Sequence, residues 1–333
     1  MDITRAALDL DLLDSLLVDA KDSRIEVASS AFIDQISSRR IGNLTKGLVP
    51  VSQMFAWFFQ IQGKPVPKDF PRAQAKIAPA WGYWAKREVG LFSDGMGVGH
   101  GWFSAPAMAA GMNPALAQRN VAILSRIEGL LKALRPPRYP FSINERKAAY
   151  GRTLFDRHCA RCHGRYPNKT PRILATPPKM IPWRIVRTDP DLLDAGSPKL
   201  RRLIRTSPMR QLTRIARPAV GYYAPRLDGI WARFPYLHNA SVPTLWHLLN
   251  PTKRPAAFSV TDAGEEYRFD KRRVGLTVPN DADAVVKLNA RGQAGDRSVY
   301  FVDRSGHSNQ GHDFYSGIRD AEKWALIEYL KTL

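Results

Sequence analysis

A mainly α-helical fold is predicted for this chain by three observations. Residues 142–158 read as a capped helix running into a Cys-x-x-Cys-His motif, and residues 319–333 repeat apolar side chains at helical spacing. Most of the sequence between them is dense in proline and polar residues, which suits long loops carrying short helices. A helical and loop-rich N-terminal region over residues 1–134 is expected to precede this unit.

Residues 3–37 read as largely helical, with Leu8, Leu12, Leu16 and Ile25 on near-helical spacing. Residues 52–61 form an aromatic run containing Met54, Phe55, Trp57, Phe58 and Phe59, too short to span a bilayer and expected to be buried. Residues 63–106 are rich in Gly, Pro and Trp, so loops packed by Trp81, Trp84 and Trp102 are expected. Asn113 can cap a helix with Pro114 in its first turn, continued by Leu116, Val121, Leu124, Ile127 and Leu131. The Pro-rich residues 135–141 stop helical structure and read as a linker between a domain at 1–134 and another at 142–333.

The next helix starts near Ser142 or Asn144, with Glu145 in its first turn, and delivers the chain to Cys159. A short helix is expected over residues 242–249. In the final segment Trp324, Ile327 and Leu330 recur at three-residue steps and make one apolar face. Gly151 on the earlier helix lacks a side chain and permits close approach of that face.

With 44% apolar residues and no uninterrupted apolar stretch of membrane-spanning length, the chain reads as soluble and globular, without a transmembrane segment. Fifty Lys and Arg against thirty Asp and Glu give a net charge of +20, which attracts anionic partners. The density of basic residues at 199–205 and 210–217 reads as a solvated helix face. No zinc-finger spacing or RNA-binding aromatic signature accompanies it, so nucleic acid is not the expected partner.

Cys159-Ala160-Arg161-Cys162-His163 is the attachment signature of a covalent c-type haem: two thioethers from the cysteines and one axial imidazole from His163. These are the only two cysteines, so no disulfide framework competes for them. A redox dithiol or half a zinc site is the non-haem reading, and it lacks a second cysteine pair. Haem attachment at such motifs takes place outside the cytoplasm, so a periplasmic or otherwise extracytoplasmic location is expected. The first twenty residues carry Asp2, Asp9, Asp11, Asp14 and Asp19 and do not form an export signal, so either the signal was removed or the reading frame begins inside a longer protein.

The iron's sixth position decides the chemistry, because a second strong ligand favours electron transfer and an open position permits peroxide or oxygen chemistry. Met180, Met209, His238, His247, His307 and His312 are the candidates after the motif. His307 and His312 share a glycine-containing loop just ahead of the final helix, which can approach a haem face. His238 and His247 can equally hydrogen-bond haem propionates or satisfy backbone groups.

Several long strings resemble, in the same order, the C-terminal haem domain of bacterial multihaem c-type cytochromes related to the rubber oxygenases and, more distantly, the di-haem cytochrome c peroxidases. They are Pro137-Arg138-Tyr139-Pro140-Phe141, the CxxCH motif with Gly164, Arg187-Thr188-Asp189-Pro190, residues 223–232, residues 235–245, Asn309-Gln310-Gly311-His312 and residues 327–333. The resemblance implies a cytochrome c-like fold and one covalent haem c bound by Cys159, Cys162, His163 and His312. It also implies that His238 belongs to the haem surroundings. Ala240 stands where the pattern usually has glycine, and a second CxxCH is missing. The catalytic haem of those enzymes is a different one, so the expected function is electron transfer by one bis-histidine haem, with an acidic redox protein as partner. The alternative is a peroxidase- or oxygenase-type enzyme with an open iron site or a haem supplied from elsewhere.

Overall fold

The computed structural model describes residues 135–166, 179–206, 220–260, 269–279, 282–294 and 298–333, together with 48–49, 59, 63–65, 73–76, 81, 97–98, 214–215 and 296. The helices expected at 3–37 and 113–131 and the ligand candidate Met209 lie outside the described residues. So does most of the aromatic run and of the Trp-rich stretch. Of those, Phe59 and Trp81 are described and buried.

Helix α1 (Glu145–His158) begins where its sequence says it should: the Asn144 side chain accepts a hydrogen bond from Lys147 N at 3.0 Å, and Glu145 sits in the first turn. Ala148, Gly151, Leu154 and Phe155 form its buried face. The chain then makes a short α2 (Ala160–His163), with Cys159 at the junction. Strand β4 (Lys179–Pro182), α3 (Trp183–Val186), α4 (Asp191–Ala195) and α5 (Pro198–Thr206) follow. On α5 Leu200 and Leu203 are buried while Lys199, Arg202 and Arg205 are exposed, the solvated basic face that the sequence predicts.

Strand β6 (Gly221–Ala224) pairs antiparallel with β4, placing Tyr223 opposite Met180 and Gly221 opposite Pro182. A Cβ on Gly221 would fall 1.9 Å from Ile181 O, so the ladder closes only around glycine. Helix α6 spans Leu245–Leu249, three residues shorter at its start than the predicted 242–249. Pro243 keeps Val242 extended, where it bridges Tyr236, and Thr244 caps the helix by accepting from His247 N at 3.1 Å.

Two short ladders complete this part. Strand β7 (Ala257–Ser259) pairs with β10 (Val299–Phe301), and β8 (Phe269–Asp270) pairs with β9 (Gly275–Leu276) in a hairpin. In the fragments, β1 (Leu48–Val49) pairs with β2 (Ala75–Lys76), and β3 (Gly97–Val98) pairs with β5 (Arg214–Ile215). Helix α7 covers Ala282–Gln293 and α8 covers Asp320–Lys331. Among the described residues the chain thus combines α-helices with strands of two to four residues, and no helix is long and apolar enough to cross a membrane.

Helices α1 and α8 form the principal packing contact. Gly151 faces Ala325 so closely that a Cβ would lie 1.9 Å from Ala325 O, the approach that its sequence position predicts. Leu154, Phe155, Ala325, Leu326, Ile327 and Leu330 join one core with Trp231, Val242 and Leu245. The Pro-rich 135–141 segment has no helix, as expected, but it packs: Trp231 Nε1 donates to Pro137 O at 2.8 Å, and the Tyr139 ring meets Trp231 edge-on at 5.5 Å.

Candidate haem site

Capping brings the motif into place, because α1 ends at Cys159 and the next turn repeats the helical bonds, with Cys162 N and His163 N both donating to Cys159 O. Both cysteines are unbridged and half-buried. Burial first, then the neighbouring Cys162, pushes the Cys159 thiol up to about 12. A redox dithiol needs the opposite shift, and among the described residues no group of three or more His, Cys, Asp or Glu side chains could hold a metal ion. The non-haem readings therefore find no support here.

His163 Nδ1 lies 2.8 Å from Pro225 O. A carbonyl oxygen only accepts, so Nδ1 carries the proton and Nε2 presents its lone pair. Burial lowers the His163 pKa, which keeps the ring neutral. Facing it is His312, with ring centroids 6.1 Å apart and planes at 52°. His312 Nδ1 is engaged by Tyr315 OH at 2.5 Å, so Nε2 is the ring nitrogen outside that bond. Burial, followed by His163 and Arg254, lowers the His312 pKa to about 3.

The loop that carries His312 is pinned along its length. Asn239 Nδ2 donates to Gly306 O at 3.2 Å and to Ser308 O at 2.9 Å. The Arg254 guanidinium donates to Gly311 O at 2.9 Å and to Asn309 O, and pairs with Asp313 at 3.4 Å. Gly311 at φ +80° lies against Arg187, where a Cβ would meet the Arg187 carbonyl at 2.3 Å. His312 itself adopts φ +56°, and its N–H donates to Val186 O at 2.7 Å. A non-glycine residue in the left-handed region persists only where its surroundings impose it.

The other candidates have partners of their own or stand unpaired. His307 is buried, stacked on Tyr300 at 4.5 Å, with Nδ1 bonded to Phe301 O and Nε2 to the Gln74 amide. His247 holds its Nδ1 against Thr244 Oγ1 at 2.7 Å. Met180 sits in the β4–β6 ladder. His238 stacks on Tyr222 at 4.2 Å, and its buried Nε2 has no hydrogen-bond partner. Burial lowers its pKa to about 3.

Two arginines beside His163 were not singled out in the sequence. Arg226 stacks over the Tyr166 ring at 4.7 Å and pairs with Asp228 at 2.9 Å, while its Nη1 is buried without a partner. Arg233 donates through Nη1 to Arg226 O at 2.6 Å, and its buried Nε has no acceptor. Burial lowers the Arg233 pKa, and its charge in turn depresses that of His163. Position in the sequence gives no sign that these guanidiniums are buried; only the string at 223–232 drew attention to Arg226.

These residues fit a haem. An iron held between two imidazole nitrogens at about 2 Å each places the ring centroids roughly 6 Å apart, given that each centroid lies about 1 Å behind its nitrogen. The two haem propionates would supply acceptors for Arg226 and Arg233, which share one carboxylate.

Residues 221–259 match a family model described as RoxA-like, cytochrome c-like. The match excludes the CxxCH motif, so two separate parts of the sequence lead to the same conclusion. The chain is also similar to two uncharacterized proteins of Sinorhizobium fredii. Protein y4iM is 31% identical over 246 residues, covering 62% of this chain and 53% of that protein. Protein y4iJ is 36% identical over 124 residues, 34% of this chain and 18% of that protein. The chain therefore spans about half the length of the first relative and a smaller share of the second. The resemblance to the rubber-oxygenase-related cytochromes is borne out at residues 221–259, where the match to the RoxA-like, cytochrome c-like model is consistent with a haem domain of that kind.

Proposed function

We propose that this protein is a mainly α-helical c-type cytochrome that transfers electrons through one covalent haem, with His163 and His312 as axial ligands. The observation that carries this reading is the pair of imidazoles at 6.1 Å, each with its Nδ1 already engaged. Cys159 and Cys162 would hold the porphyrin covalently, and Arg226 and Arg233 would meet its propionates. When bound, the haem supplies a one-electron Fe(III)/Fe(II) couple.

The protein's part is to hold two neutral nitrogen ligands still. Pro225 O fixes the tautomer and orientation of His163, and Tyr315 orients the His312 ring, its hydroxyl accepting from Nδ1–H when Nε2 serves as the ligand. The hydrogen bonds that pin the 306–313 loop would hold His312 in place as a ligand. His238, stacked on Tyr222, would belong to the haem surroundings. Haem attachment chemistry favours an extracytoplasmic, periplasmic location, and the +20 charge favours an anionic partner, which on the electron-transfer reading is an acidic redox protein.

The test is the absorption spectrum of the haem-loaded protein and its His312→Ala variant, preceded by a pyridine haemochrome assay for covalent haem c. A low-spin wild type that turns high-spin on substitution is expected. An unchanged low-spin spectrum in the variant removes His312 as ligand. A high-spin wild type that turns over peroxide replaces electron transfer by the enzyme reading.

A further inference from the structure

The turn of the β8–β9 hairpin presents three consecutive cations, and each lies over a different aromatic ring. Lys271 Nζ is 4.2 Å from the Phe141 centroid, the Arg272 guanidinium 4.7 Å from Trp324, and that of Arg273 5.1 Å from Trp246. The two indoles stack at 6.3 Å, and a cleft of about 360 Å³ opens beside them, lined by Trp246, Asp270, Arg272, Arg273 and Trp324. None of this belongs to the haem contacts described above.

The turn is fixed from below. Asp270 Oδ1 accepts from Arg272 N at 2.9 Å and Arg273 N at 2.7 Å, and Tyr139 OH donates to Lys271 O at 2.8 Å. Asp270 is the acidic residue lining the cleft, and its carboxylate pairs with Arg273 at 4.0 Å. Lys271 and Arg272 are exposed, so the turn keeps a surplus of positive charge. A ring face holds a cation without consuming its N–H donors, so Lys271 and Arg272 are pre-positioned with donors to offer carboxylates. Little side-chain entropy then remains to be lost on binding.

We infer that this hairpin is the docking site of an acidic partner protein, with an Asp or Glu side chain entering the cleft beside Arg272. A concave site walled by two indoles suits a protruding side chain better than a flat lipid surface. The proposal rests on the electron-transfer reading only in taking that partner to be a redox protein.

The experiment uses the full haem-loaded chain and a fluorescein-labelled hexaglutamate peptide, titrated by fluorescence anisotropy at about 20 mM salt, where surface charges act beyond contact range. The Lys271→Gln/Arg272→Gln variant is compared with Lys199→Gln/Arg202→Gln, which removes the same charge from the exposed face of α5. The hairpin variant is expected to bind about tenfold more weakly and the α5 variant within about twofold of wild type. Equal losses in both variants, or no binding by wild type, overturn the proposal. Hairpin-dependent binding to phosphatidylglycerol vesicles without peptide binding also overturns it and assigns the ridge to a membrane surface. Circular dichroism confirms that each variant is folded. The absorption spectrum of the same samples reports on the haem separately: a high-spin iron with hairpin-dependent peptide binding sinks electron transfer and leaves the docking site standing.

Discussion

Replacing Gly151 by alanine puts a methyl carbon 1.9 Å from Ala325 O. An ordinary carbon–oxygen contact needs about 3.3 Å, so α1 and α8 must part by roughly 1.4 Å at their crossing. The obstacle is backbone, and no side-chain rotation relieves it. Parting by that amount forfeits a third to a half of the dispersion contact, by order of magnitude, between side chains facing each other there. Leu154, Phe155, Leu326 and Leu330 are buried in the same core. At about 2 kcal/mol each, their loss comes to roughly 3 kcal/mol, from which the better helix propensity of alanine returns about 1 kcal/mol. The expected cost is therefore about 2 kcal/mol, or a fall of about 4–8 °C in melting temperature. Guanidinium and thermal unfolding of the haem-loaded protein, followed by circular dichroism and by the Soret band, measure it. Gly317→Ala is the control, because a Cβ there meets nothing within 4 Å and should change stability by under about 0.5 kcal/mol. Equal stability of Gly151→Ala and wild type would refute the close crossing and with it the packing that leads α1 into Cys159.

Three further outcomes are expected. Ala240 is buried at φ +60°, so Ala240→Gly should relieve about 1–2 kcal/mol of left-handed strain and lose part of it to unfolded-chain entropy; a gain of about 0.5–1 kcal/mol in urea unfolding is expected, and a loss contradicts the turn. Arg254→Met removes the donors that hold the carbonyls of Asn309 and Gly311; a destabilisation of about 3 kcal/mol and partial high-spin character are expected, with a fully low-spin spectrum counting against a positioning role. His247 and His307 have their pKa values lowered to about 4, chiefly by burial, from an ordinary 6.5. Both are neutral in the fold, so the unfolded chain takes up protons first: stability is full above about pH 6.5, falls as pH drops toward 4, and loses up to about 3 kcal/mol per histidine. Urea midpoints across that window, with His247→Gln flattening the slope, check it; midpoints that rise on acidification refute it.

The parts of the site legible in the sequence are those written in local chemistry. Asn144 and Glu145 announce the start of α1, the CxxCH run sets its end, and Gly151 marks the helix crossing. Gly311 next to His312 foretells a loop able to press on neighbouring backbone. What escaped depends on partners far along the chain. The β4–β6 ladder is four residues long and joins segments separated by a proline-rich stretch, so it leaves no periodic trace. Arg226, Arg233 and Arg254 look like any of the many basic residues of this chain until burial distinguishes them. The extra residues predicted for α6 came from counting Val242 with the helix, although Pro243 makes it extended.

The electrostatics of the site point in one direction. Two neutral imidazoles face each other among three largely buried guanidiniums, from Arg226, Arg233 and Arg254, while Asp228 and Asp313 supply the carboxylates paired with them. Asp313 is half-exposed and water weakens its share, so the interior carries surplus positive charge that burial makes costly. Arg233 shows the cost directly, since burial depresses its pKa and leaves its Nε without an acceptor. A cofactor bearing two carboxylates offsets that charge, whereas a dithiol or a bare divalent cation adds nothing to it or makes it worse. The arginines therefore bear on which group binds here, alongside the CxxCH motif.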